Sequence, residues 1–117
     1  MFDQVKKFFQ GLKQPRLTEV FYMDENGLRR EISDGTIETV KWDELNKITI
    51  ITTDQGPYFE DVFFVLEAEK GGTIVSQEWA CKISLLERLG EFPGFDNEAV
   101  IRAMACTDNN AFLCWQK

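Results

Sequence analysis

At 117 residues, 44% of them hydrophobic, the chain is expected to form one domain (1–117) with its own core, which excludes disordered and disulfide-stapled classes. Its net charge of −7 is uneven: Lys6, Lys7, Lys13 and Arg16 against Asp3 give the first 16 residues +3, leaving −10 on the other 101. So acidic a body repels phosphate backbones, which argues against a nucleic-acid partner and for a basic protein partner.

The chain opens with Phe2, Val5, Phe8, Phe9 and Leu12, the last four at i, i+3, i+4 and i+7. That spacing predicts an amphipathic helix over 2–13, with Asp3 at its start and Gly11 and Pro15 at its end. Lys6, Lys7, Gln10 and Lys13 take the opposite face. Barely three turns are marginal alone in water. The helix is therefore expected to dock its stripe on the domain. The alternative is a peripheral membrane adaptor, with Phe2, Lys6, Lys7, Phe9 and Lys13 meeting an anionic surface. Residues 1–16 read as helix and linker, 17–117 as an α+β body.

Hairpin signals follow. Leu17 to Met23 is β-prone, and Asp24-Glu25-Asn26-Gly27 predicts a tight turn with Asn-Gly in type I′ geometry. Leu28 to Ile32 returns, Ser33-Asp34-Gly35-Thr36 turns again, and Thr36 to Trp42 offers Ile37 and Val40 to the core. Asp43-Glu44-Leu45 bends into the strand Asn46 to Thr53. Val62 to Glu69 is a fifth strand, and Lys70-Gly71-Gly72-Thr73 turns into Thr73 to Gln77, with positive φ expected at the glycine pair. A helix over Ala80 to Gly90 uses Ile83, Leu85, Leu86 and Leu89. Asp96 caps a second, Asn97 to Cys106, which is expected to bury Val100, Ile101 and Met104. Ala111 to Trp115 closes the chain as a strand. The expected fold class is α+β: an antiparallel sheet or partly open barrel of about six or seven strands, an N-terminal amphipathic helix, and two helices before a C-terminal strand.

The sequence contains no histidine, which removes the commonest general base and every His-dependent triad. No phosphate-binding glycine loop is present. Cys81, Cys106 and Cys114 lack C-x-x-C spacing and neighbour apolar residues, so core packing and a reducing cytoplasmic setting are expected. The basic N-terminus lacks the apolar run and cleavage site of a signal peptide. Trp42, Trp79 and Trp115 read as core or rim packing.

The loop between residues 53 and 62 joins two apolar strands and mixes acids with aromatics. Asp54, Glu60 and Asp61 are the carboxylates placed to converge on a hard cation or an acid–base pair, but their spacing does not match a calcium loop. No metal, cofactor or catalytic role is expected. A protein-binding role fits better: Tyr58 and Phe59 as anchors, with Asp54, Glu60 and Asp61 steering a basic partner. Either aromatic also fits as a plug over one end of the sheet.

Trp42-Asp43-Glu44-Leu45, Thr52-Thr53-Asp54-x-Gly56-Pro57 and Pro93-Gly94-Phe95-Asp96 resemble a motif set in small, uncharacterised bacterial proteins, across most of 17–115. That resemblance implies a bacterial origin and no activity. The strand series with its W-D-E-L step is also similar to pleckstrin-homology-like domains, although those end in one long helix. A non-catalytic binding module is the expected function, in its sharpest form an acidic, immunity-type inhibitor of a basic bacterial toxin.

Overall fold

The structure, a computed structural model, describes residues 18–54 and 62–117. Its first sheet runs β1 (Glu19–Met23), β2 (Gly27–Ile32), β3 (Ile37–Lys41). The second comprises β4 (Leu45–Thr52), β5 (Val62–Ala68), β6 (Gly71–Ser76) and β7 (Asn110–Gln116), in the order β6-β5-β4-β7. All pairings are antiparallel. Three short helices, α1 (Gln77–Lys82), α2 (Leu85–Leu89) and α3 (Asn97–Ala105), stand between β6 and β7. The α+β class is as expected, but the strands divide into two sheets and form no closed barrel. A 3-10 turn at Trp42–Glu44 redirects the chain out of the first sheet. β3 then lies against β6 through side chains, with the Thr73 hydroxyl donating to Glu38 Oε1 at 2.9 Å. The expected N-terminal helix lies outside the described residues.

Alternation along the strands turns Phe21, Leu28, Val40, Ile50, Phe64 and Val75 toward a shared core, which the helices close with Leu85, Leu89, Val100 and Ala103. The period of two corrects the sequence reading of β3. Ile37 and Val40 are three residues apart and cannot share a strand face, so Val40 is buried and Ile37 exposed.

The expected helix over 80–90 is two helices. Ser84 sits in the left-handed region (φ 57°) and breaks it, letting the fully buried Leu85 and Leu89 follow a new axis. In α3 the Asp96 cap is as expected, its Oδ1 accepting from the Ala99 N–H at 3.1 Å. Val100 is buried as expected, but beside it the buried residues are Ala99 and Ala103, whose small side chains let the helix lie close on β7 and β4. Ile101 is left 68% exposed and Met104 40%. Of the cysteines only Cys114 is buried; Cys106 is half-buried and Cys81 exposed.

The first turn also differs. Asp24 Oδ1 accepts from the N–H groups of Asn26 (2.8 Å) and Gly27 (3.0 Å), and Gly27 lacks the positive φ of a type I′ turn. Glycine is required there because a Cβ would stand 2.1 Å from the Val40 carbonyl oxygen. At the other glycine turn, Gly71 alone takes positive φ (122°), and Gly72 is needed for its close approach to Leu66 O.

Two polar clusters lock the arrangement. Arg30 bridges Glu19 (Nε to Oε2, 2.7 Å) and Glu38 (Nη1 to Oε1, 2.8 Å), tying three strands together. Burial disfavours its charge, but Glu38 and Glu19 outweigh that and raise its pKa. At the end of the core, the Arg88 guanidinium lies 4.9 Å from the Trp42 ring and 5.2 Å from Phe92, and Phe92 packs on Trp115 at 4.9 Å. The Trp42 indole Nε1–H donates to Asp24 O and the Trp115 indole Nε1–H to Pro93 O. Trp42-Asp43-Glu44-Leu45 and Pro93-Gly94-Phe95-Asp96 thus meet through an aromatic staple.

Candidate functional site

The sequence-predicted loop closes the hairpin of β4 and β5, which pair from Leu45↔Ala68 to Thr52↔Val62 and are the two central strands of their sheet. Asp54 stands exposed at the bend after β4. Tyr58, Phe59, Glu60 and Asp61 lie outside the described residues, as do Phe2, Lys6, Lys7, Phe9 and Lys13. Among the described residues no group of three or more Cys, Asp or Glu is placed to hold a metal ion, and no helix is long and apolar enough to cross a membrane.

The described surface offers another site, the outward face of the first sheet. Because Phe21, Leu28 and Val40 turn inward, the opposite parity turns out, and the register sets it in rows. Val20, Glu31 and Ile37 form one row across the three strands; Tyr22, Arg29 and Thr39 form the next; Gly27 and Lys41 form the third. Val20 is 41% exposed, Tyr22 53% and Ile37 55%. Between the apolar groups, Arg29 Nε pairs with Glu31 Oε2 at 2.8 Å across an exposed surface. The lower rows border an open depression of about 470 Å³, lined by Tyr22, Asn26, Arg29, Glu31, Thr39 and Lys41.

Acidic turns bound this face at both ends. Asp24 and Glu25 sit in the first turn. Asp34 sits in the second, where hydrogen bonds from Thr36 hold its carboxyl below the usual range and keep it ionised. Ion pairs so exposed contribute little to stability, so the Arg29–Glu31 pair can exchange partners at small cost. Rows about 7 Å apart and strands about 4.8 Å apart give a patch on the order of 200 Å². That is the centre of a protein interface and not the whole of one, which takes about 800 Å² per partner.

Sequence reasoning missed Val20, Tyr22 and Ile37. The signal was present in the alternation of β1, where Phe21 and Met23 take one face and Val20 and Tyr22 the other. Ile101 and Met104 on α3 are also exposed. Compared with protein-family models, curated proteins and solved structures, the chain matches none.

Proposed function

We propose that this protein is a non-catalytic protein-binding module that docks a basic partner protein on the open face of its first sheet. The observation that carries the reading is the side-by-side exposure of Val20, Tyr22 and Ile37 on a rigid three-stranded surface. Sheets with one wet face ordinarily place polar residues outward, and an aromatic anchor ringed by aliphatic and exchangeable charged groups is the composition of a binding centre. The acidic body supplies long-range attraction for a basic partner, while the apolar anchors supply short-range affinity. In its sharpest form the module is an immunity-type inhibitor that neutralises a basic bacterial toxin; small size and acidity support that version.

Affinity capture from the native cytoplasm, followed by binding titrations at rising ionic strength, tests the reading. The expected partner is basic and binds less tightly as salt rises. Tyr22→Ala with Ile37→Ala is expected to lose it, while Tyr58→Ala with Phe59→Ala retains it. Loss confined to the second pair moves the docking surface to the 54–61 loop. A partner that is acidic, or indifferent to salt, overturns the proposal.

A further inference from the structure

The outward face of the first sheet is uneven in charge along its strands. Arg29 and Lys41 stand toward the first turn, and Glu31 stands toward the second turn, which carries Asp34. Tyr22 and Thr39 share the cross-strand row of Arg29, while Val20 and Ile37 share the row of Glu31. Lys41 and Asp34 are exposed, and neither enters an ion pair among the described residues. One end of the face is therefore cationic and the other anionic, with apolar groups in both rows.

Such a face is self-complementary under one two-fold axis and not under the other. An isologous dimer that packs face to face has its axis in the plane of contact. An axis along the strands lays each row over the same row, setting Arg29 against Arg29 of the second copy. An axis across the strands, midway between the two rows, reverses their order. It lays Arg29 over Glu31 of the second copy, Tyr22 over its Val20 and Thr39 over its Ile37, and each contact occurs twice. Lys41 then falls toward the Asp34 turn of the other copy. Packed sheets lie about 10 Å apart, a gap that an arginine and a glutamate side chain bridge together. The Arg29–Glu31 pair within one copy is exposed on both sides and gives up little when it opens to form two such pairs between copies.

We infer that a second copy of this chain occupies the face when no partner does, in this antiparallel two-fold packing. The inference rests on the reading of the face as a docking surface and names a further occupant for it. Three strands of five or six residues give a contact on the order of 300 Å² per copy. A stable interface takes about 800 Å² per partner, and each copy carries a net charge of −7. The dimer is therefore transient, half-associated at roughly 0.1–1 mM, and gives way to a basic partner that binds more tightly.

Sedimentation equilibrium of the full chain tests the packing. Arg29→Glu makes both positions acidic, and Glu31→Arg makes both basic. Over roughly 0.05–1 mM, the parent chain is expected to rise from monomer toward dimer mass, while each variant alone stays monomeric. An equimolar mixture of the two variants is expected to dimerise at least as well as the parent, because both contacts then join opposite charges. Each substitution moves the net charge by two, so both variants remain acidic and bulk attraction between them does not produce that result. A parent chain that stays monomeric throughout, variants that associate as the parent does, or a mixture no more associated than its components overturns the inference. Should either variant fail to fold, the parent's concentration series still decides, with Tyr22→Ala expected to remain monomeric across it. A monomeric parent that still loses its basic partner on Tyr22→Ala with Ile37→Ala sinks the dimer alone, whereas partner capture retained by that double variant sinks the docking reading.

Discussion

Phe21 and Tyr22 are consecutive residues whose truncation reads out opposite faces of one strand. Phe21 is 3% exposed, packs on the Trp79 ring at 5.5 Å and lies beneath the Arg30 guanidinium at 5.9 Å. Truncating such a core ring costs about 3–5 kcal/mol, and Phe21→Ala is expected near the middle, about 4 kcal/mol. Tyr22 keeps about half its surface in water. Of the roughly 200 Å² a tyrosine offers, folding withdraws about 100 Å². At about 25 cal/mol per Å² that sets an upper figure near 2.5 kcal/mol, and a compact unfolded state lowers it to about 2 kcal/mol. Urea unfolding followed by tryptophan fluorescence should show the two midpoints well separated with a common slope. Partner capture should fail only for Tyr22→Ala, in any condition where both variants remain folded. Equal destabilisation by the two substitutions would refute the assignment of faces, and with it the docking surface.

Three further outcomes are expected. Burial pushes the Cys114 thiol from 9.0 to about 11, helped by the charge of Asp96. The unfolded chain therefore deprotonates first: stability is intact below about pH 9 and falls by about 1.4 kcal/mol per unit until pH 11. Thermal melts across that range should show the decline in the parent chain beyond any in Cys114→Ala. Arg30→Met leaves the Glu19 and Glu38 carboxylates without their shared cation. The cost should be about 2–3 kcal/mol by urea unfolding, below the figure for fully buried pairs because both carboxylates are partly solvated. Adding Glu38→Gln should restore part of it, and strictly additive losses would count against the network. Ser84→Gly should stabilise by about 0.5–1 kcal/mol in the same assay, because glycine adopts the left-handed conformation without strain.

What the sequence revealed followed how local each signal was. Strand positions were legible because β-branched runs and turn residues are read one segment at a time: Val62 to Glu69 became Val62–Ala68, and Asp96 capped its helix as expected. The division into two sheets was not legible, since it depends on a three-residue 3-10 turn and on β3 meeting β6 through side chains. Asn26-Gly27 misled for a related reason. The glycine answers to a carbonyl 13 residues away in sequence, at Val40, and not to its own turn. In α3, Ile101 and Met104 were the larger apolar residues, but the residues buried against the neighbouring strands are Ala99, Val100 and Ala103. Of the predicted site, the frame of two central strands was legible and Asp54 is exposed on it. The face bearing Val20, Tyr22 and Ile37 requires knowing which parity points inward.

That parity is encoded more deeply than any single motif. A strand buried on both faces has no reason to alternate, and Ile48-Thr49-Ile50-Ile51-Thr52 and Val62-Phe63-Phe64-Val65-Leu66 do not alternate polar with apolar. Strands of a sheet with one wet face should alternate, and β2 does so where buried Leu28 is followed by exposed Arg29. Against that background, Val20, Tyr22 and Ile37 are apolar residues at outward positions of the alternating sheet. A solitary exposed aliphatic residue carries no message, since much of any protein surface is apolar. Here two of the three share one cross-strand row and the third lies in the next, beside an open depression. Unlike the second sheet, where Thr49, Ile51, Phe63 and Val65 are buried, this sheet presents its apolar groups to solvent, where a partner can bury them.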